Sequence, residues 1–154
     1  MKPKVYIETS VISYLTARLS SDLIVAAHQK LTIDWWENSR ATFELYTSEL
    51  VIQEIRRGDS RAAEKRQTAL QNVPVIPLIK DAFALADTLV DQQVLPEEAH
   101  ADALHISVAI LSEIDYLLSW NCKHIANAEI QKKIAHIIRH TGYPMPILCT
   151  PEIL

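Results

Sequence analysis

The stretch Val5-Tyr6-Ile7-Glu8-Thr9-Ser10 decides how this chain folds. Its first three residues are β-branched or aromatic, and such a short run bounded by a polar turn predicts a buried β-strand. A helical pattern follows from Val11, with Ser10 placed to cap the helix. Glu8 therefore lies where a strand gives way to a helix. Because open α/β sheets bind ligands at the carboxyl ends of their strands, this carboxylate is a candidate site residue.

The composition is that of a globular protein. The 154 residues are 49% hydrophobic and 22% charged, and we expect them to form a single domain over residues 1–154. Only two glycines occur, which excludes Gly-rich phosphate and dinucleotide loops. The net charge of −4 gives no global footprint for nucleic acid, although a metal in an acidic site can engage phosphate locally.

The cysteine and hydropathy patterns predict a cytoplasmic protein that makes no use of a membrane. Cys122 and Cys149 have no C-x-x-C spacing, and we interpret them as reduced, structural thiols. The N-terminus lacks the apolar core of a signal peptide. No uncharged apolar stretch approaches the roughly 18 residues that a membrane span needs.

Strand and helix patterns alternate along the chain. Strands are predicted at 5–8, 43–47, 73–78, 115–120 and 147–149, with the prolines of 73–78 confining that run to a sheet edge or strand ends. Helices are predicted from Val11 and over 22–38, 48–57, 61–71, 81–93, 97–112 and 124–139. This alternation predicts an α/β fold, a three-layer α/β/α arrangement around a mostly parallel sheet of four or five strands.

Adjacent tryptophans interrupt the first long helix pattern. Trp35 and Trp36 cannot both face one core, because neighbouring helical positions diverge by about 100°. Two interpretations stay open. One tryptophan lies at a partner surface, or both belong to a wide apolar face within one subunit.

Two glutamates fall where the pattern expects buried or crevice-facing positions. Glu8 ends the first strand, and Glu54 shares a helix face with the packing stripe of its helix. Ionised carboxylates are rarely buried unless they are paired or bind a metal. For Glu54, a salt bridge to a neighbouring arginine is the alternative.

The helix pattern at 97–112 carries one polar face on an otherwise apolar surface. Glu98, Asp102 and His105 fall at i, i+4 and i+7. An aspartate inside a buried helix has poor propensity and costs desolvation, and a cation would offset both. Glu98 also suits the dipole of a first helical turn. His105 is interpreted as a supporting or packed histidine rather than a ligand for an oxygen-preferring metal.

Asn121 completes this set at the end of the strand predicted over 115–120. If that strand is parallel to the first, Asn121 and Glu8 lie at the same edge of the sheet, although an asparagine chosen for the turn is the alternative. Three carboxylates and an amide oxygen make an all-oxygen site, which suits Mg²⁺ or Mn²⁺. Beside a phosphodiester, such a metal polarises a phosphoryl oxygen and generates hydroxide for in-line attack.

Four segments of the chain resemble the PIN domain, in order and over nearly the whole length. They are Val5-Tyr6-Ile7-Glu8-Thr9-Ser10-Val11-Ile12, Ser48-Glu49-Leu50-Val51-Ile52-Gln53-Glu54-Ile55, Asp102-Ala103-Leu104-His105-Ile106-Ser107-Val108-Ala109 and Leu117-Leu118-Ser119-Trp120-Asn121. Within that superfamily the size resembles a VapC-type toxin of a toxin–antitoxin pair. The resemblance implies a metal-dependent endoribonuclease acting on RNA, a homodimer, and an antitoxin partner that blocks the site.

The resemblance also assigns roles to particular residues. Glu8, Glu54 and Asp102 match the first, second and third acidic residues of the family. Ser10 matches the small polar residue that supports the first acid, and Asn121 lies where the family commonly has a fourth acid. We expect the approach surface for RNA among basic residues drawn from Lys4, Arg18, Arg56, Arg57, Lys123 and Lys132.

Two departures from the family pattern motivate a second hypothesis. Glu8 is one methylene longer than the usual aspartate, and Asn121 removes a negative charge, which lowers metal affinity. The alternative function is therefore a weakened or inactive PIN module that binds RNA or a partner protein without cutting. A third hypothesis, a metal-dependent phosphohydrolase for a small substrate, is disfavoured because the chain has no phosphate-cradling loop.

Overall fold

A parallel β-sheet organises the fold. The computed structural model describes residues 1–154. Its sheet has five strands in the order β3-β2-β1-β4-β5, all of them parallel. The strands are β1 (Lys4–Ile7), β2 (Glu44–Ser48), β3 (Val75–Ile76), β4 (Tyr116–Leu118) and β5 (Ile147–Cys149). The predicted α/β class with helices flanking a parallel sheet is confirmed, and β3 lies at the sheet edge.

Seven α-helices connect and flank the strands. They are α1 (Thr9–Thr16), α2 (Leu23–Asp34), α3 (Glu49–Ile55), α4 (Ser60–Ala69), α5 (Lys80–Asp91), α6 (His100–Leu111) and α7 (Ala128–Ile138). Helix α1 contacts α2, α3 and α4, while α5 packs along α6. None of these helices is both long and apolar enough to cross a membrane.

The centre of the sheet and helix α6 form most of the core. Val5, Tyr6 and Ile7 of β1 are completely buried, as are Leu117 and Leu118 of β4. Such near-continuous hydrophobic runs are typical of parallel strands covered on both faces, and burying each large side chain contributes about 1.5–3 kcal/mol. Strand β1 lies between β2 and β4, so the order of the chain reverses beside it and opens a crevice at the carboxyl ends of β1 and β4.

Helix α1 begins earlier than the sequence pattern predicted. It starts at Thr9 rather than Val11, and its N-cap is Glu8 rather than Ser10. The backbone at Glu8 is still extended, and its carboxylate folds back to accept the Ser10 N–H at 3.0 Å. The physical reason is that a carboxylate satisfies a free N–H of the first turn as a serine hydroxyl would.

Three other helix boundaries also differ from the prediction. The helix predicted from 124 begins at Ala128, because Asn127 caps it by accepting the N–H groups of Glu129 and Ile130. The helix predicted from 97 opens with the 3₁₀ turn Glu97–Ala99. The helix predicted to 38 ends at Asp34 and is followed by the π-helical turn Trp35–Ser39 and the 3₁₀ turn Arg40–Thr42.

The adjacent tryptophans occupy different environments within this chain. Trp35 is 2% exposed and stacks on Phe43, with ring centroids 5.8 Å apart. Trp36 is half-buried, and the guanidinium of Arg40 lies 4.5 Å from its ring centroid, a cation–π arrangement. Of the two tryptophans, Trp35 therefore belongs to the core.

Both cysteines are free thiols, as the spacing predicted. Cys149 is buried at the end of β5, and burial raises the pKa of its thiol to about 11. Cys122 is exposed in the loop after β4. A buried thiol with a raised pKa is inert, which agrees with a structural role for Cys149.

Candidate metal centre

Two carboxylates and a histidine meet at the carboxyl edge of the sheet. Glu8 follows β1, Glu54 lies in α3 after β2, and His105 projects from α6. One possible ligand atom from each of the three lies within 4.8 Å of the other two. Glu8 is only 6% exposed. Two carboxylates this close repel each other, so the arrangement favours a positive charge between or beside them.

Hydrogen bonds from neighbouring serines orient the Glu8 carboxylate. Its Oε1 accepts from the Ser10 hydroxyl at 2.6 Å and from the Ser119 hydroxyl at 2.5 Å, while its Oε2 accepts the Ser10 N–H at 3.0 Å. The Trp120 N–H in turn donates to the Ser10 hydroxyl at 2.9 Å. Glu8 is thereby tied both to the start of α1 and to the end of β4.

The carboxylate of Glu54 is held at one oxygen and left open at the other. Its Oε1 accepts from the Thr9 hydroxyl at 2.5 Å and from His105 Nε2 at 2.7 Å, and its Oε2 accepts no hydrogen bond. Burial alone would raise the pKa of Glu54, but the hydrogen bond and charge of His105, the Thr9 hydrogen bond and the charge of Arg57 lower it. No arginine forms the salt bridge that was the alternative for this residue.

His105 uses both ring nitrogens inside the protein. Its Nε2–H donates to Glu54, and its Nδ1 lies 2.7 Å from the Tyr6 hydroxyl, which is itself 2.6 Å from the Ser48 hydroxyl. Burial alone would lower the pKa of His105, but the Glu54 hydrogen bond and the charges of Glu8, Glu54 and Asp102 raise it. Although its position would allow it to ligate a metal, a ring that is fully hydrogen-bonded in this way supports Glu54 instead.

Asp102 is not part of this cluster of three, but it lies close enough for its charge to raise the pKa of His105, and it forms a second carboxylate–histidine pair. Its Oδ2 accepts from His124 Nδ1 at 3.0 Å, and its side chain is 23% exposed. The backbone N–H of His124 donates to Asn121 Oδ1 at 3.0 Å, so the Asn121 side chain stabilises the turn that carries His124. Glu98 is exposed in the 3₁₀ turn, and its carboxylate accepts no hydrogen bond.

Sequence reasoning missed five residues that build this site. They are Tyr6, Thr9, Ser48, Ser119 and His124. Tyr6 carried a usable signal, because a tyrosine hydroxyl in the middle of a buried strand needs a hydrogen-bond partner. The other four gave none, since their contacts join segments that are far apart in the sequence.

The donor chemistry fits a hard divalent cation. Glu8 and Glu54 offer carboxylate oxygens, Asp102 offers a third carboxylate nearby, and no lysine or arginine lies within 4.0 Å of any of them. Mg²⁺ is bound in proteins by one or two carboxylates while it keeps several waters. The centre therefore suits Mg²⁺ or Mn²⁺ better than zinc, which prefers nitrogen and sulfur ligands.

The all-parallel five-stranded sheet flanked by helices is consistent with the PIN-like α/β fold that the sequence predicted. The chain is similar to a chain in the crystal structure of VapBC2 from Rickettsia felis bound to a DNA fragment from their promoter. The TM-score is 0.57 and the sequence identity 16%, and the match covers 96% of this chain and 98% of that chain. At this identity the likeness shows the fold. No protein-family model matches the sequence, and no curated protein matches it.

Proposed function

We propose that this protein is a Mg²⁺- or Mn²⁺-dependent endoribonuclease of the PIN/VapC toxin type, which hydrolyses RNA phosphodiester bonds. One observation carries the proposal. The carboxylates of Glu8 and Glu54 converge with His105 within 4.8 Å at the carboxyl edge of the sheet, and the third acid, Asp102, influences the same histidine. Converging carboxylates with no lysine or arginine within 4.0 Å are the chemistry of a cation site.

The residues of the centre divide into ligands and supports. Glu8, Glu54 and Asp102 would hold the metal. A bound Mg²⁺ or Mn²⁺ would supply Lewis-acid polarisation of a phosphoryl oxygen and activation of a water for in-line attack. Ser10 and Ser119 keep the Glu8 carboxylate in place, as Thr9 and His105 do for Glu54.

Asn121 has a more limited role in this proposal. Its side-chain oxygen already accepts the His124 N–H. A carbonyl oxygen has a second lone pair, so Asn121 can hold this turn and still orient a water or assist the metal. It brings no charge, and the metal affinity of the centre is correspondingly lower than with a fourth acid.

The structural neighbour also supports a partner protein for this chain. That neighbour is a VapBC2 assembly on promoter DNA. By analogy, this chain would be the toxin of a cytoplasmic toxin–antitoxin pair, with an antitoxin that covers the acidic edge. A homodimer remains the expected state of the toxin itself.

The deciding experiment is cleavage of a labelled, mixed-sequence RNA pool by purified protein shown to be free of bound partner. Mn²⁺ is compared with a chelator, and Asp102→Asn with the wild type. We expect Asp102→Asn to lose more than about 100-fold in cleavage rate, since removing even a residue that supports a metal ligand costs 10–100-fold. Its circular dichroism and melting temperature should match those of the wild type.

Asp91→Asn is the matched control, because it makes the same substitution at an exposed carboxylate, at the end of α5, that accepts no side-chain hydrogen bond. It should cut RNA like the wild type. Full activity in Asp102→Asn would contradict the metal-site assignment. A folded wild-type protein that binds RNA without cutting it would favour the alternative, a binding module without cleavage. The hydrogen bond that the Asn121 side-chain oxygen already accepts from the His124 N–H is the structural observation in favour of that alternative.

A further inference from the structure

A groove between α1 and α4 is lined mainly by basic and hydroxyl side chains. It encloses a volume of about 540 Å³ and lies beside the start of α4. Its polar lining consists of Arg18, Arg61, Lys65, Arg66, Ser13 and Thr16, with Asp59 as its one acidic residue. In a chain of net charge −4, this is a local concentration of positive charge.

Three of these cations have no internal partner. The ion pairs of the protein all involve histidines, so no carboxylate lies within 4.0 Å of Arg18, Arg61 or Lys65. Asp59 is already engaged, because it caps α4 by accepting the Ala62 N–H at 3.0 Å. Unpaired cations facing a shared groove attract an extended anion, since their charges add at one surface.

Arg66 differs from the other three because it is fixed. Its guanidinium donates to the Ile55 carbonyl at 2.8 and 3.0 Å and to the Arg57 carbonyl at 2.7 Å. These contacts join the groove to the end of α3, and Ile55 directly follows Glu54. The floor of the groove is therefore attached to the segment that carries a predicted metal ligand.

The polar face of α1 connects the groove to the acidic cluster. Thr9, Ser13 and Thr16 fall at i, i+4 and i+7, which places them on one helix face. Thr9 donates to Glu54, whereas Ser13 and Thr16 line the groove. At 1.5 Å per residue, Thr9 and Thr16 are about 10 Å apart along the helix axis. A strand lying along this face would meet hydroxyl donors throughout, and hydroxyls are common phosphate contacts.

We propose that the groove between α1 and α4 binds the phosphate backbone of a single RNA strand, next to the phosphodiester that reaches Glu8 and Glu54. This inference rests on the proposed function. Packed helices lie 8–10 Å apart, so a groove between them admits one strand rather than a duplex. Positively charged grooves that follow the backbone are the usual means of binding single strands. The lining contains no aromatic side chain, and we therefore expect little dependence on base sequence.

The test is binding of a fluorescein-labelled RNA of about 12 nucleotides and mixed sequence, measured by anisotropy in chelator at several salt concentrations. The double variant Arg61→Gln/Lys65→Gln removes two exposed groove charges and leaves Arg66 in place. Its matched control is Lys133→Gln/Arg139→Gln, which likewise removes one exposed lysine and one exposed arginine charge, here from α7 and its C-cap. Circular dichroism should be the same for all three proteins.

We expect the groove variant to bind the RNA about tenfold more weakly at low salt, and to reduce the slope of log affinity against log salt by roughly 1.4. The control should stay within about twofold of the wild type. Unchanged binding in the groove variant, equal losses in both variants, or no RNA binding by the wild type would overturn the inference. So would weaker binding of labelled polyglutamate with RNA binding unchanged, which would assign the groove to an acidic protein segment.

Parallel cleavage assays in Mn²⁺ separate this inference from the proposed function. A wild type that binds RNA through the groove but does not cut it supports the groove and removes the nuclease. A wild type that cuts RNA, with the groove variant binding and cutting equally well, removes the groove and keeps the nuclease.

Discussion

Two carboxylate–histidine pairs lie side by side in this protein, and they differ in how they are held. In the first, His105 Nε2 lies 2.7 Å from Glu54 Oε1; in the second, His124 Nδ1 lies 3.0 Å from Asp102 Oδ2. The side chain of His105 is 1% exposed and that of His124 is 18% exposed. His105 has a second ring contact, to Tyr6, whereas Nε2 of His124 makes no hydrogen bond.

The two carboxylate–histidine pairs therefore differ in how many hydrogen bonds support them. Around His105, Tyr6 and Ser48 bring β1 and β2 into one buried network, in which every member depends on the others. Around His124, the support is one backbone hydrogen bond to Asn121 in a turn. The first pair is part of a buried network that holds the fold together, whereas the second lies in a partly exposed turn.

The largest expected difference between the pairs is in stability. His105→Ala removes two buried hydrogen bonds and leaves a cavity, so we expect the free energy of unfolding to fall by about 2–4 kcal/mol. His124→Ala changes a partly exposed ring and should cost less than about 1 kcal/mol. Urea denaturation followed by circular dichroism, in chelator, measures both. Equal losses of unfolding free energy in the two variants would contradict the proposed difference between the two pairs.

A smaller effect is expected in the pH dependence of stability. The raised pKa of His105 stabilises the folded protein below the ordinary value of 6.5, and this contribution is lost as the pH rises through the raised value. The lowered pKa of Glu54 stabilises the folded protein above the ordinary value of 4.5, and this contribution is lost as the pH falls through the lowered value. The pair therefore stabilises the fold most between these ordinary values, and less at higher or lower pH.

Urea denaturation at a series of pH values checks this in chelator. His105→Gln should lose the decline in unfolding free energy that the wild type shows as the pH rises above 6.5. His124→Gln should keep that decline, since the buried pair is intact in it. A decline that survives in His105→Gln would assign the effect to another group.

The smallest effect expected is on metal affinity at the more exposed pair. Asn121→Asp keeps a side-chain oxygen for the His124 N–H and adds a negative charge beside Asp102 and His124. We expect Mn²⁺ to bind roughly threefold to tenfold more tightly, because ligand charge tunes such sites. Isothermal titration calorimetry measures the change. Unaltered affinity would mean that the turn holds this side chain too far from the cation.

Much of the fold was predictable because its signals are local. The apolar runs that form β1, β4 and β5 and the edge position of β3 follow from residue type and proline placement. Helix boundaries were less predictable where an unexpected side chain forms the cap. The N-cap of α1 is Glu8 instead of the expected Ser10. The N-cap of α7 is Asn127, so this helix begins at Ala128 rather than at residue 124.

For the candidate site too, residues with a local signal in the sequence were predictable and residues defined by long-range contacts were not. Glu8, Glu54 and His105 could be named from strand ends and helix faces, and the structure brings them together. The roles of Ser119 and Thr9 could not, because each donates to a carboxylate in a different element. For Asn121 the sequence left a role in the site and a role in the turn open. In the structure its side-chain oxygen accepts the His124 N–H of the turn, and its part in catalysis stays a prediction.

The buried chain from Ser48 through Tyr6 to His105 has a consequence for evolution. Removing one hydroxyl or ring nitrogen leaves a buried polar group without a hydrogen-bond partner, which lowers stability. Replacing both partners together by apolar groups changes stability little. Positions 6, 48 and 105 should therefore mutate in concert among descendants of this sequence. A lineage that carries phenylalanine at position 6 should also carry a changed residue at position 105.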